Sequence, residues 1–319
     1  MAGLVAAGAL ATPAGALATS VPGTLGLQLL DAPVAGRGDP RAQLYIVDHL
    51  PPGATIRRRV KLTNTTAASA RVALYAGDAA IGRGAFLGAA GRGRGELSTW
   101  TSVAPRVARL RAGGSAIATV RIRVPADAAP GERYGIAWAE VRAASGTGIT
   151  QVSRVGIRLY VSIGPGAAPA ADFAIDAVSA ARSADGRPMV VATVRNTGGR
   201  ALDMNGTVAL ARGPGGLSAG PFAAQLGTTL AIGATERVTT PLDRRMPAGP
   251  WTARVGLRSG LLERRASARI TFPVPGASSG PPWLALAGAF GALVAVVVLL
   301  LRLVRRLRFR APASDVSRT

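Results

Sequence analysis

Cysteine is absent from this 319-residue chain, and histidine and lysine occur once each, as His49 and Lys61. Without disulfides, each domain must be held by its own apolar core. One histidine and no cysteine cannot furnish the three or four usual ligands of a zinc site, so no metal or other cofactor is expected. A Ser-His-Asp arrangement would have to be built around His49, which stands in DHLPPG before a Pro-Pro turn and reads as a surface or capping residue. Aromatic residues are scarce at 4%, whereas Gly (41) and Pro (22) abound, a balance that favours many short strands over long helical bundles.

Acidic residues are outnumbered. The formal net charge is +22, nearly all of it guanidinium. Arg302, Arg305, Arg306, Arg308, Arg310 and Arg318 against Asp315 place +5 in the C-terminal tail, which leaves +17 for the rest. Such a field attracts polyanions, among them anionic wall polymers. Zinc-finger spacing, RNP motifs and a basic helix are all missing, so nucleic acid is not an expected partner.

Both ends carry targeting signals. Residues 1–18 contain the apolar run AGLVAAGALA and then Ala16-Leu17-Ala18, the small-x-small pattern of a signal peptide cleaved after Ala18, although the usual positive n-region is missing. From Trp283 to Leu301 runs WLALAGAFGALVAVVVLLL, 19 uncharged residues, which at ~1.5 Å per residue span roughly 28 Å of hydrocarbon. Pro281 and Pro282 stop the helix on one side, and Arg302, Arg305 and Arg306 open the basic flank on the other. The positive-inside rule then expects a single-pass plasma-membrane protein, with the ectodomain outside and residues 302–319 in the cytoplasm.

Between these ends, apolar residues recur with period two. Ile56, Val60 and Leu62 alternate in TIRRRVKLT, Val72 and Leu74 in SARVALYA, and Val120, Ile122 and Val124 in IATVRIRV; Val155, Ile157, Leu159, Val161 and Ile163 share a face of VSRVGIRLYVSI. Turn chemistry separates the runs, as at Pro51-Pro52-Gly53, Asn64-Thr65-Thr66 and Ala112-Gly113-Gly114. GPGAAPAA (164–171) reads as a stiff linker. A second set follows: Phe173, Ile175 and Ala177; MVVATVRNTG; Met204, Val208 and Leu210; Trp251, Ala253, Val255 and Leu257. The expected fold is all-β: two Ig-like antiparallel sandwiches, at 23–163 and 172–275, followed by one transmembrane helix at 283–301. Each places an asparagine-containing turn after an early strand, at Asn64 and Asn196.

The order of elements is more specific than the fold. LPPGATIRRRVKLTN (50–64), Asp78-Ala79, Trp100, VPADAAPGERYGIAWAEV (124–141), VRNTGGRALDMNGTVAL (194–210) and a C-terminal helix with a basic tail together resemble the DUF916 group, the WxL-interacting proteins of Gram-positive surfaces. The resemblance implies a first domain that binds peptidoglycan, a second that engages host or partner proteins, and no catalysis. None of Trp100, Trp138, Trp251 and Trp283 is followed by x-Leu, so the chain is not itself a WxL protein.

Candidate binding residues follow from position. Trp100 and Tyr134 stand near turns and are the expected stacking platforms for glycan, whereas Trp138 and Trp251 fall inside alternating strands and read as core. Arg92 and Arg94 lie in GRGRGE which, with GRGAFLG (82–88), reads as a flexible basic loop, since neither glycine run opens a helix that would cradle phosphate. Asp48, Asp78, Glu132 and Glu140 are the carboxylates available for glycoside hydrolysis, but 15 acids face 32 cations before the tail, so most should pair with arginine. The expected function is a non-catalytic, membrane-anchored surface adapter for cell-wall glycan, an anionic wall polymer or a secreted surface protein. The alternative is an envelope assembly or secretion accessory that takes a protein client by β-strand addition.

Overall fold

The computed structural model describes residues 25–33, 38–144, 150–225 and 227–273. The expected signal segment 1–18, the expected span from Trp283 to Leu301 and the tail with Arg302, Arg305 and Arg306 lie outside them, and among the described residues no helix is long and apolar enough to cross a membrane.

The described chain is all-β. Its first part contains β1 (Leu25–Leu29), a short helix α1 (Pro40–Leu44), β2 (Ile46–Leu50), β3 (Thr55–Asn64), β4 (Ala70–Gly82) and β5 (Ala85–Gly88). Helix α2 (Glu96–Trp100) leads into β6 (Thr101–Ala104), β7 (Val107–Leu110), β8 (Ser115–Arg123), β9 (Gly131–Ala144) and β10 (Thr150–Ile163). One sheet has the order β1-β3-β8-β6, the other β2-β10-β9-β4-β5 with β7 also on β4. The alternating residues meet between them: Val60, Leu62, Val120 and Ile122 from one sheet and Val72, Leu159 and Val161 from the other are fully buried in one cluster. At about 1.5–3 kcal/mol per large side chain, this core replaces the missing disulfides.

The second sandwich follows with β11 (Phe173–Arg182), β12 (Pro188–Asn196), β13 (Leu202–Asp203), β14 (Asn205–Ala211), β15 (Ala219–Ala223), β16 (Thr229–Leu230), β17 (Thr235–Pro241), β18 (Pro250–Ser259) and β19 (Leu262–Thr271). Sheets β11-β12-β17 and β15-β14-β18-β19, with the small β13-β16 pair, enclose Phe173, Val194, Leu210, Trp251 and Phe272.

Two expectations need correction. The period-two run Phe173, Ile175, Ala177 breaks at a bulge between Ile175 and Ala177, which turns Ala177 outward and hands the inner face to Val178 and Ala180. Residues 82–88 are an ordered hairpin, because Ile81 pairs with Phe86 across a tight turn in which Arg83 and Gly84 take φ of 51° and 69°. The segment 164–171 is also tied at its far end, where Gly199 N–H donates to the Ala170 carbonyl at 2.8 Å.

The two asparagine turns are the same device built twice. Asn64 Nδ2 donates to the carbonyls of Ala68 (2.8 Å) and Arg111 (3.1 Å), and its Oδ1 accepts from Thr66 N–H. Asn196 Nδ2 donates to Arg200 (2.8 Å) and Ala231 (3.0 Å), and its Oδ1 accepts from Gly198 N–H. Each amide is buried, closes its own turn through the carbonyl four residues on, and ties that turn to the loop before β8 or β17.

Candidate functional site: the open edge of β10

The N-terminal strand is divided between the two sheets. β1 pairs with β3; then Asp39, whose side chain accepts from Arg41 N–H, and Pro40 start α1; only afterwards does β2 join β10, in parallel. β2 covers Leu159 to Ile163 alone, although β10 pairs with β9 along its whole length from Thr150. Among the described residues, therefore, no strand pairs with the other side of β10 from Thr150 to Arg158, although β1 runs close to β10. Gly164 N–H donates to the Leu50 carbonyl on the β2 side. By strand alternation the backbone groups of Val152, Arg154 and Gly156 point the same way, into the open edge.

Burial fades along this edge. Ile157, Leu159, Val161 and Ile163 are buried, Val155 is half-buried, and Val152 on the outer face is 45% exposed. Leu25 and Leu27 of β1 and Val141 of β9 are likewise only partly covered. Where the two sheets part lies a cleft of about 470 Å³, bordered by Leu25, Ala70, Val141, Ser153 and Arg154.

The other half of β10 is clamped to the second sandwich. Asp203 accepts from Arg41 Nε (2.6 Å), Arg158 Nη1 (2.9 Å), Tyr160 OH (2.8 Å) and Thr229 Oγ1 (2.8 Å). The Arg41 guanidinium lies 4.1 Å from the centroid of the Tyr160 ring. Glu132 accepts from Ala201 N–H (2.7 Å) and Tyr134 OH (2.8 Å). Burial pushes the Glu132 carboxyl above the ordinary range, and burial with the neighbouring carboxylates raises the Tyr134 and Tyr160 phenols.

The expected site residues are not gathered into one place. Trp100 ends α2 and packs against the first core. Tyr134 is half-buried in the seam between the sandwiches, its ring against Phe86 and Tyr160. Arg92 lies over the Tyr75 ring at 4.4 Å and 3.7 Å from Glu140, and Arg94 is exposed. Trp138 is wedged on the outer face of β9, where a Cβ on Gly77, Gly88 or Gly156 would come within 2.8 Å of its ring. Trp251 is buried in the second core, as its alternation predicts.

Nor do Glu132 and Glu140, the two candidate carboxylates on β9, form a pair. Asp48 is bound to Arg58 at 2.6 Å. Glu140 is held by Tyr75 OH (2.5 Å) and Arg142 (2.8 Å), which against its burial keep its carboxyl below the ordinary range. Glu132 and Glu140 stand eight residues apart on β9, about 26 Å along the strand, far beyond the ~5–9.5 Å of glycosidase pairs. His49 Nδ1 meets Ser162 Oγ at 3.1 Å. Sequence reasoning passed over Asp203, because its four donors come from positions 41, 158, 160 and 229, and no local pattern links them.

No protein-family model matches the chain, and no curated protein matches it. Among solved structures, the E. coli chaperone DraB is 13% identical, over 78% of this chain and 97% of its own, with a TM-score of 0.36. The Pseudomonas aeruginosa CupB2 chaperone is 14% identical over 72% and 99%, with a TM-score of 0.33. A family 123 glycoside hydrolase from Clostridium perfringens is 10% identical over 44% and 27%, with a TM-score of 0.27. At overlaps this low, the architecture rests on the strands and cores described above.

Proposed function

We propose that this chain is a binding protein, not an enzyme, and that it takes an extended segment of a protein client along the open edge of β10. The observation that carries this reading is the stretch Thr150–Arg158, which has no register partner on the β2 side and whose outward backbone groups as far as Gly156 have no strand partner among the described residues. An added strand gains main-chain hydrogen bonds there, and its alternate side chains cover the half-buried Leu25, Val141 and Val155 beside the cleft. The scattered carboxylates favour binding over catalysis. Glycan contact through Trp100 and Tyr134 has less support, since one packs on a core and the other in the seam. On this reading the apolar segment 283–301 holds the sandwiches outside the membrane and the client is an exported polypeptide, a setting that the resemblance to WxL-interacting proteins also implies.

The test is selection of ten-residue peptides of alternating apolar and polar residues on the full chain, followed by amide hydrogen exchange. Bound peptide should slow exchange at Val152, Arg154 and Gly156. Arg154→Pro, which removes one outward N–H at an edge position that tolerates proline, should abolish binding without unfolding the sandwich. Peptides that bind this variant equally well, or leave β10 exchange unchanged, would reject the proposal.

A further inference from the structure

A second surface lies on the other sandwich, on the outward face of β14, β18 and β19. Register places Arg254 opposite Ser267, Gly256 opposite Arg265, Thr252 opposite Arg269 and Arg258 opposite Glu263, with Thr207 and Ala209 completing the rows on β14. Inward residues of these strands, such as Val208, Ala253 and Val255, are buried, so the arginines of the alternate positions stand in solvent. Between them the floor is low, because Gly256, Ala209 and Ser267 carry almost no side chain. The result is a hollow of about 550 Å³ bordered by Arg254, Arg258 and Arg265, beside another of about 290 Å³ bordered by Arg212 and Arg269.

Charge on this face is nearly all of one sign. Glu263 is its one acid, and it is hydrogen-bonded by Arg265 at 2.7 Å. Arg254 stands diagonally across from both Arg265 and Arg269, roughly 7–8 Å between backbones, close enough for like charges to repel in the free protein. An anion between them removes that repulsion.

We propose that this face binds a linear polymer of linked phosphate groups that carries no aromatic bases. Guanidinium forks approaching from two strands suit a tetrahedral phosphate, whose oxygens leave one plane, better than a flat carboxylate. The lining has no aromatic ring on which a base could stack, which argues against single-stranded nucleic acid. It has no large apolar side chain to enter a bilayer, which argues against a lipid surface. The site is independent of the β10 edge and stands or falls without it.

The test uses the purified full chain with long-chain inorganic polyphosphate, and compares R254Q/R258Q/R269Q with R57Q/R121Q/R123Q. The second triple removes equal charge from the outer face of β3 and β8, where Arg57 and Arg121 lie directly opposite each other. At about 0.7 counterions released per contact, loss of three contacts weakens binding about 50-fold at ~0.15 M salt and makes the slope of log affinity against log salt shallower by about 2. The control triple should keep wild-type affinity. Equal loss in both triples would mean that net charge alone attracts the polymer and would overturn the site. So would absence of binding, or binding of oligo(dT), polyglutamate or phosphatidylglycerol vesicles as tight as that of polyphosphate.

Discussion

Replacing Asn196 by alanine removes a side chain that is 2% exposed and whose three shortest hydrogen bonds go to the carbonyls of Arg200 and Ala231 and come from Gly198 N–H, with a longer one to the Leu230 carbonyl. Each bond contributes about 1 kcal/mol net, and the carbonyls left without a donor in a buried site add a desolvation cost, so the expected loss is about 3–5 kcal/mol. Against a typical domain stability of about 5–15 kcal/mol, that is a large fraction. With a urea slope of about 2 kcal/mol per molar, the midpoint should fall by roughly 2 M. Circular dichroism in urea measures the midpoint, and hydrogen exchange shows that the protection lost first belongs to β12 and β17. Asn196→Asp tests the chemistry more sharply, since it keeps the acceptor but turns a carboxylate toward two carbonyl oxygens. Such an acid is held above its unfolded pKa, so this variant should be least stable at neutral pH and recover as pH falls and the carboxyl regains a proton to donate. A loss under about 1 kcal/mol for the alanine variant, or an aspartate variant insensitive to pH, would refute the account of this turn.

Asp203→Asn should loosen the seam by about 3–5 kcal/mol, because Arg41 and Arg158 would keep their charge in a half-dry site without a counter-ion. Calorimetry checks this, and a change below about 1 kcal/mol would count against the hub. Asp31 is held at about 2, against an ordinary 3.8, by hydrogen bonds from the side chain and the backbone N–H of Arg59. A depressed carboxylate stabilises fully above its unfolded value and loses that contribution as pH falls through about 2, so Asp31→Asn should flatten the acid limb of the stability curve. A carbon-detected titration of Asp31 with its midpoint near 3.8 would contradict the pairing.

The strands were legible because both sandwiches are wet on their outer faces, so burial writes itself as alternation: Val120, Ile122 and Val124 were assigned to the core from spacing alone and are buried. Where backbone geometry intervenes, the alternation misleads. The bulge after Ile175 shifts the phase by one residue, and no side chain announces it. The hairpin at 82–88 was hidden because its turn places an arginine at positive φ, where glycine or asparagine is the usual signal. Asn64 and Asn196 were both visible as turn residues, but that they bind equivalent loops required the loops' positions in space. Candidate binding residues were the least legible part. Exposure of Trp100 and Tyr134 was inferred from nearby turns, whereas α2 folds one onto the first core and the rings of Phe86 and Tyr160 pack against the other. An open strand edge leaves no mark in composition, since it is defined by where another strand stops.

That stopping point also sets a length. β2 occupies β10 from Leu159 onward, so any strand laid beside Thr150–Arg158 meets the start of β2 after nine residues. Nine residues of extended chain measure roughly 30 Å. If a client adds to β10 as proposed, the edge acts as a ruler with one fixed end: the junction at Ile46 sets where an incoming segment halts, and a longer segment has to turn away from the sheet at Arg158.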